Sequence, residues 1–272
     1  MNDFRLGVGL RPPHYPDFLQ DTPNPIEWLE VISENFMDTH GQPREILLKI
    51  RERYPVALHG VSLSIAGTDS FNPAYLKKLK QLITDVDPLI VSDHLCWTGV
   101  HGYNIHDLLP VPYNEELLTH ISERIDFIQN YFQRPWVIEN VSSYIQYSHS
   151  SMPEEEFLNQ LCKKSGCGLL LDINNIYVSA KNHDFDPYTF LNSIDSQFVR
   201  QIHLAGFTDQ GDHLFDTHSK PVYPEVWDLY ESYIKKSPGV PTMIEWDDDI
   251  PEFQTLIEEA LKAKTLWDKH HE

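Results

Sequence analysis

Residues 168–175 read GLLLDINN: a glycine, three leucines, an aspartate, then an isoleucine and two asparagines. So short an apolar run is the body of a buried strand, whereas a carboxylate at its carboxyl end must find a partner or bear a desolvation cost. The same order recurs along the chain. VALH ends on His59, IVSDH on His94, VIE on Glu139, QIH on His203 and TMIE on Glu245, and a separate DTH triplet adds Asp216 and His218. Six strand-like runs thus each end in a side chain that can hold a metal, and gathering them around one centre would supply the partner each lacks.

Working outward, strand-like runs bounded by turn residues stand at RLGVGL, IEWLEVI, PVALHGV, LIVSDHL, PWVIENV, GLLLDIN, VRQIHLAG and VPTMIEW. Helical spacing fills most of the gaps, in REILLKIRERY, PAYLKKLKQLITDV, NEELLTHISERIDFIQNYF, PEEEFLNQLCKKSG, DPYTFLNSI, PEVWDLYESYIKKS and FQTLIEEALKAKTLW. Pro73, Pro153, Pro187, Pro224 and Pro251 sit where helices would begin, as the fixed φ and missing donor of proline favour. Alternation of this kind implies parallel strands joined by right-handed crossovers, and eight such units close a (β/α)₈ TIM barrel spanning 1–272 as one domain. An open doubly wound sheet is the competitor, but its GxGxxG fingerprint is missing: Gly7 and Gly9 are followed by LRPPHY. A barrel also explains the ligands, because its active site lies at the carboxyl ends of the strands. The long connection CWTGVHGYNIHDLLPVPYN is a candidate lid or a surface excursion with its own small core.

The 272 residues carry 21 basic and 41 acidic side chains, a net charge of −20 that repels phosphate backbones and argues against nucleic acid as a bulk partner. No stretch approaches a membrane span and the amino terminus lacks the apolar core of a signal peptide, so the expectation is a cytoplasmic protein with no membrane partner. Cys96, Cys162 and Cys167 form no CxxC pair, so neither a disulfide framework nor a thiolate zinc site is indicated.

His59, His94 and Glu139 make a two-histidine, one-carboxylate set, which suits non-haem iron and also accepts zinc or manganese. Asp172, His203 and Glu245 make a second set, and Glu139 has two oxygens with which to bridge them. Asp216 and His218, two apart, would share a face of an extended stretch and grip a third ion with Asn175. Arg11 and His14, in LRPPHY, could hold a substrate carboxylate or carbonyl at the barrel mouth; pairing of Arg11 with Glu30 or Glu34 is the structural alternative.

With these residues in hand, the chain resembles the multinuclear non-haem iron-dependent oxidative enzymes, the family that includes the oxidase of methanobactin biosynthesis. The resemblance covers nearly the whole sequence and rests on GVGLRPPHY, LHGVSLSI, VSDHLCW, DLLPVPYNEE, VIENVSSY, LLLDINNIYVSA, QIHLAG, DTHSKPVY and MIEWDDDIP, in order. It implies a xylose-isomerase-like barrel and two or three iron ions, mixed-valent when active: one on His59, His94 and Glu139, one on Asp172, His203 and Glu245 with Glu139 bridging, one on Asn175, Asp216 and His218. It further implies molecular oxygen as co-substrate, a cysteine-containing precursor peptide as substrate, and a separate protein that presents the precursor. The ligand order also looks like that of three-zinc apurinic endonucleases, where a histidine matches Asn175. A metal-dependent phosphodiesterase and a sugar isomerase are accordingly the alternative functions.

Overall fold

The computed structural model describes residues 4–20 and 23–271. In chain order its strands are β1 (Arg5–Gly9), β2 (Trp28–Ile32), β3 (Val56–Gly60), β4 (Val91–His94), β5 (Trp97–Val100), β6 (Tyr103–Leu109), β7 (Val137–Glu139), β8 (Gly168–Asp172), β9 (Val199–Leu204), β10 (Thr208–Asp209), β11 (Leu214–Phe215) and β12 (Pro241–Ile244). Two antiparallel hairpins, β5–β6 and β10–β11, stand apart; the other eight strands close a parallel barrel in sequence order, with β12 returning to β1. The helices are α1 (Tyr15–Leu19), α2 (Glu34–Met37), α3 (Gln42–Arg51), α4 (Pro73–Val86), α5 (Glu115–Phe132), α6 (Glu154–Ser165), α7 (Ile173–His183), α8 (Pro187–Ser193), α9 (Pro224–Ile234) and α10 (Phe253–His271). The (β/α)₈ barrel expected from the strand runs is the fold.

Side chains along a strand alternate between the two faces, so each barrel strand sends every second residue inward. Trp28, Ala57 and Met243 form a small buried cluster of their own, separate from the large core between strands and helices. Two residues further along come Glu30, His59 and, just past β12, Glu245, so this part of the floor beneath the polar layer is apolar, while Ser92 and Gln201, two residues before His94 and His203, add polar groups to it. Trp28 fits because β1 offers Gly7: a Cβ there would lie 2.3 Å from the indole. The indole Nε1 donates to the Arg5 carbonyl at 3.1 Å, so the floor leaves no orphaned donor on its largest side chain.

The sequence reading runs strand GLLLDIN on to Asn174, but β8 stops at Asp172 and α7 begins at once. Every residue of α7 from Ile173 to Ala180 is buried. A helix covered on all sides carries no amphipathic stripe, which is why periodicity does not reveal it. The connection at 96–114 carries the β5–β6 hairpin, with Trp97 Nε1 donating to the Pro110 carbonyl at 3.0 Å. Its outer end is solvated, Tyr103 being 79% exposed, while Leu108 borders the cavity at the barrel mouth. No helix among the described residues is long and apolar enough to cross a membrane.

Candidate metal centre

Strand register sets the first pairings. His94 on β4 lies opposite Glu139 on β7, and Asp172 on β8 lies opposite His203 on β9. Both pairs occupy the last rung of the barrel, and Glu245 follows β12 with its backbone N–H donating to the Leu204 carbonyl at 2.9 Å. Strand ends and the stagger between neighbouring strands thus bring these acids and imidazoles to the carboxyl mouth of the barrel.

Glu139 stands in the middle. Its Oε2 lies 3.1 Å from His59 Nε2 and 3.3 Å from His94 Nε2, and those two nitrogens are 3.4 Å apart. Two ligands roughly 2.0–2.2 Å from a shared ion are about 2.9–3.6 Å apart for bond angles between octahedral and tetrahedral, so the triangle has the size a metal requires. The other oxygen, Oε1, faces His203 Nδ1 at 3.6 Å, and that nitrogen is 2.9 Å from Glu245 Oε2 and 4.0 Å from Asp172 Oδ2. One carboxylate therefore offers one oxygen to each group. Two sets of ligand atoms lie within 4.8 Å of one another: His59, His94 and Glu139, and Glu139, Asp172, His203 and Glu245.

Further hydrogen bonds orient these ligands. A carbonyl can only accept, so the 3.0 Å bond between His94 Nδ1 and the Gly60 carbonyl puts the proton on Nδ1 and leaves Nε2 a lone pair. His59 Nδ1 is bonded to Ser92 Oγ at 2.8 Å, which likewise turns Nε2 toward Glu139. On the other side His203 Nε2 donates to Glu30 Oε1 at 3.0 Å, and Gln201 Nε2 donates to Glu30 Oε2 at 2.6 Å. His203 Nδ1 is left for the centre, an arrangement of carboxylate, histidine and metal that raises ligand basicity. Asp172 divides its carboxylate: Oδ1 caps α7 by accepting from Asn175 N–H at 2.6 Å, and Oδ2 is left without a partner.

The donor set fits a metal on a further count. Glu139 Oε2, Asp172 Oδ2, Asn175 Oδ1, His203 Nδ1 and His218 Nε2 are all buried and make no hydrogen bond, although charged neighbours lie close. Buried ligand atoms that crowd one another without a directed hydrogen bond are what cations between them would satisfy. Electrostatics agrees. Burial drives the Asp172 carboxyl well above the usual range and Glu139 beside it pushes the same way, so without a cation this acid keeps its proton. Burial would also depress His59, but the carboxylates of Glu139 and Glu30 outweigh it and lift the imidazole to about 9. Burial raises Glu139 too, yet His94 and His59 hold it well below the ordinary value.

Asp216 and His218 arrive together on the loop after β11, with Asp216 Oδ1 2.7 Å from His218 Nε2. The stretch is not an extended strand: His218 adopts a left-handed φ of 46°. Its Nδ1 lies 3.3 Å from Glu245 Oε2 and 3.4 Å from Asp247 Oδ2, so the third group of ligand atoms is His218, Glu245 and Asp247. Asn175 lines the same cavity with its oxygen free, its amide donating to the Asn140 carbonyl at 3.0 Å, and Asn174 donates to Asp216 Oδ1 at 2.7 Å. Asp247 carries no strand-end signal, because it lies beyond β12 in the acidic run WDDD.

Arg11 pairs with Asp247 and approaches Glu245 to 4.0 Å, not Glu30 or Glu34 as the structural alternative has it. Glu30 is instead committed to His203. The guanidinium reaches Asp247 past Gly9, where a Cβ would lie 3.0 Å from its Nη1. His14 departs from the expectation of a residue at the barrel mouth. The short turn Pro12–His14 directs its ring against Phe253, and Nε2 bonds to the Pro251 carbonyl at 2.8 Å. Above the ligands opens a cavity of about 180 Å³ bordered by Leu108, Ser142, Thr217 and the ligands themselves.

Glu30 is the residue that sequence reasoning assigns to the wrong partner; its signal is a lone acid at an inward position of the apolar strand WLEVI. Glu30→Gln is expected to weaken metal binding at the His203 group by about 10–100-fold, the range for partners of this kind, while the His59 and His94 group keeps its affinity. Competitive metal titration of this variant against the unaltered protein checks this; equal weakening at both groups contradicts the assignment.

Comparison with known proteins yields matches of two kinds. A family model described as RiPP precursor modification enzyme MbnB/TglH/ChrH matches residues 5–268. A UPF0276 protein of Rhizorhabdus wittichii is 51% identical over 266 residues, covering 97% of this chain and 95% of its own, and one of Caulobacter vibrioides is 50% identical over 262 residues, covering 96% and 94%. Among solved structures, endonuclease IV of Thermus thermophilus matches with a TM-score of 0.62 at 12% identity over 97% of this chain and 99% of its own. A D-psicose 3-epimerase of Clostridium cellulolyticum matches with 0.60 at 10% over 99% and 100%, and a putative xylose isomerase of Rhodospirillum rubrum with 0.58 at 12% over 97% and 98%. At such identities these structures establish the xylose-isomerase-like TIM barrel and nothing about the reaction.

Proposed function

Because the chain belongs to the MbnB/TglH/ChrH family of RiPP precursor modification enzymes, we propose that it is an iron- and oxygen-dependent oxidoreductase that modifies cysteine in a ribosomally synthesised peptide or small precursor protein. The observation that carries this reading is Glu139, whose two oxygens face a two-histidine group on one side and a histidine–dicarboxylate group on the other. His59, His94 and Glu139 would hold one iron, and Glu139, Asp172, His203 and Glu245 a second. Asn175, Asp216 and His218, with Asp247 near them, would hold a third. Iron there would supply one-electron chemistry with oxygen and a Lewis acid for a thiolate.

The chain's own residues do the rest. Glu30, Ser92 and the Gly60 carbonyl fix the orientation of the three imidazole rings, so loading requires loss of protons and little ring movement. The two-histidine group has only three protein ligands and opens into the 180 Å³ cavity, which leaves room for a cysteine side chain. Ser142 lines that opening with a hydroxyl able to bond the peptide backbone beside the cysteine, while the Thr217 hydroxyl, also at the opening, is held by Thr208 and Ser219. The net charge of −20 disfavours the phosphodiester substrates of a hydrolase. A separate protein presenting the precursor completes the reading.

The test is preparation from iron-fed cells without oxygen, followed by exposure of the protein to oxygen and cysteine-containing precursor. Iron should be bound, and oxygen uptake should track loss of peptide cysteine and disappear with a serine-substituted precursor. Bound zinc with no oxygen uptake would overturn the proposal.

A further inference from the structure

Beside the metal cavity lies a larger one of about 480 Å³, walled by Val111, Tyr113, Met152, Phe185 and Phe190. The two share their dividing wall. Leu108 borders the metal cavity, and Pro110 and Val111 the larger one; Ser142 faces the first and Ser143 the second; Asn175 and Ser179, one turn apart on α7, do likewise. Consecutive residues separate them, and consecutive Cα atoms are only about 3.8 Å apart. We propose that this second cavity is a subsite for a large apolar side chain of the precursor, one or two residues from the cysteine held at the metals. The proposal rests on the peptide-modifying reading above and specifies which peptides it accepts.

A 180 Å³ space shared with the ions and oxygen has room for the cysteine side chain but not for a large flanking side chain as well, so the latter must lie outside it. The neighbouring 480 Å³ falls within the range of sites that enclose small ligands. An extended peptide rises roughly 3.3 Å per residue, so a residue one or two positions from the cysteine can cross the Ser142–Ser143 ridge. Ile145, 45% exposed, borders the cavity and gives an apolar approach to it, next to Tyr144 at 40%.

Chemistry selects the class of occupant. The polar groups of the wall are largely engaged with one another: Ser143 N–H donates to Ser179 Oγ at 3.0 Å, and Ser143 Oγ bonds to the Ile145 carbonyl and to His183 Nε2, each at 2.9 Å. Asp186 caps α8 with both oxygens. Burial lifts the Glu154 carboxyl to about 8 even though the Tyr113 hydroxyl donates to it, so this part of the wall is mostly uncharged at neutral pH. Glu155 and Asp186 at the edge repel an acidic guest.

The experiment uses the metal-bearing protein without oxygen and fluorescein-labelled pentapeptides containing one cysteine, with leucine, phenylalanine, glycine, arginine or glutamate at each flanking position. Anisotropy should show leucine and phenylalanine at one flank binding about tenfold or more tighter than glycine, with glutamate weakest. Ile145→Asp and Thr189→Trp, both at exposed positions bordering the cavity, should each abolish that preference and leave the glycine peptide's affinity within about twofold. Loss of the preference in the unaltered protein, its persistence in both variants, arginine in first place, or no saturable binding of any peptide overturns the subsite. Serine-substituted peptides and the thiolate-to-metal absorption band separate the two proposals. If serine and cysteine peptides bind alike with no band, while the apolar preference and its loss in the variants persist, the cysteine chemistry falls and the subsite stands. A cysteine-dependent band without apolar preference gives the reverse.

Discussion

Glu139→Gln should strip metal from both the His59/His94 group and the Asp172/His203/Glu245 group at once, whereas Asp216→Asn should lower occupancy mainly at the loop group around His218. Glutamine keeps the size of the side chain but loses the charge, and its nitrogen cannot serve as a ligand. One of the two groups would thus face an N–H₂ where it had an oxygen, and the other would face an uncharged carbonyl. Each of those oxygens now lies within 3.6 Å of an imidazole nitrogen. Loss of an oriented outer partner already costs 10–100-fold in metal affinity, so loss of the shared ligand should exceed about 100-fold at both groups and reduce turnover at least as much. Asp216 touches His218 at 2.7 Å and contacts neither His59 nor His94. Elemental analysis after dialysis reads the outcome directly; equal losses in the two variants would remove the bridging role of Glu139.

Chelation should lower the melting temperature by about 8–16 °C, and the gap between loaded and stripped protein should widen from pH 6 to pH 9. A ligand present at a thousand times its Kd stabilises by about 4.1 kcal/mol, and each kcal/mol is worth about 2–4 °C in a chain of this size. The pH trend follows from the stripped protein. His59 is raised to about 9, so the stability it contributes is complete below the ordinary histidine value of 6.5 and is lost as pH rises through 9. His203 is raised because the carboxylates of Glu30 and Glu245 outweigh burial, and His218 because Asp216 and Glu245 do; both act in the same direction. Asp172, pushed upward by burial and by Glu139, also loses its contribution as pH rises. The depressed Glu139 loses its contribution only in acid, below this window. The metal meanwhile competes with fewer protons at higher pH. Calorimetry of both forms across the window checks the sign; a gap that narrows with pH contradicts it.

The barrel was legible in the chain because two signals agreed: short apolar runs of strand length and helical spacing between them. The strand-end ligands were legible for a related reason. His59, His94, Glu139, Asp172, His203 and Glu245 each break an apolar run at its carboxyl end, and in a closed parallel barrel all such ends face one way. Helix α7 was not legible, because complete burial erases the polar face that periodicity needs. Asp247 and the commitment of Glu30 to His203 were hidden as well, since neither follows from position along one strand. The path of the Pro12–His14 turn, which takes His14 to Pro251, is likewise a matter of packing against α10.

Local order along the chain thus determined by itself which side chains end strands, since alternation and apolar run length are properties of a few consecutive residues. Barrel closure, by contrast, settled which of those ends meet. Register placed His94 beside Glu139 and Asp172 beside His203, and the loops after β11 and β12 brought His218 and Asp247 to Glu245. The reason is range: a backbone conformation is set over a few residues, whereas the partner of a buried charge is whatever barrel closure carries to within about 4 Å of it, 236 residues away along the chain for Arg11 and Asp247.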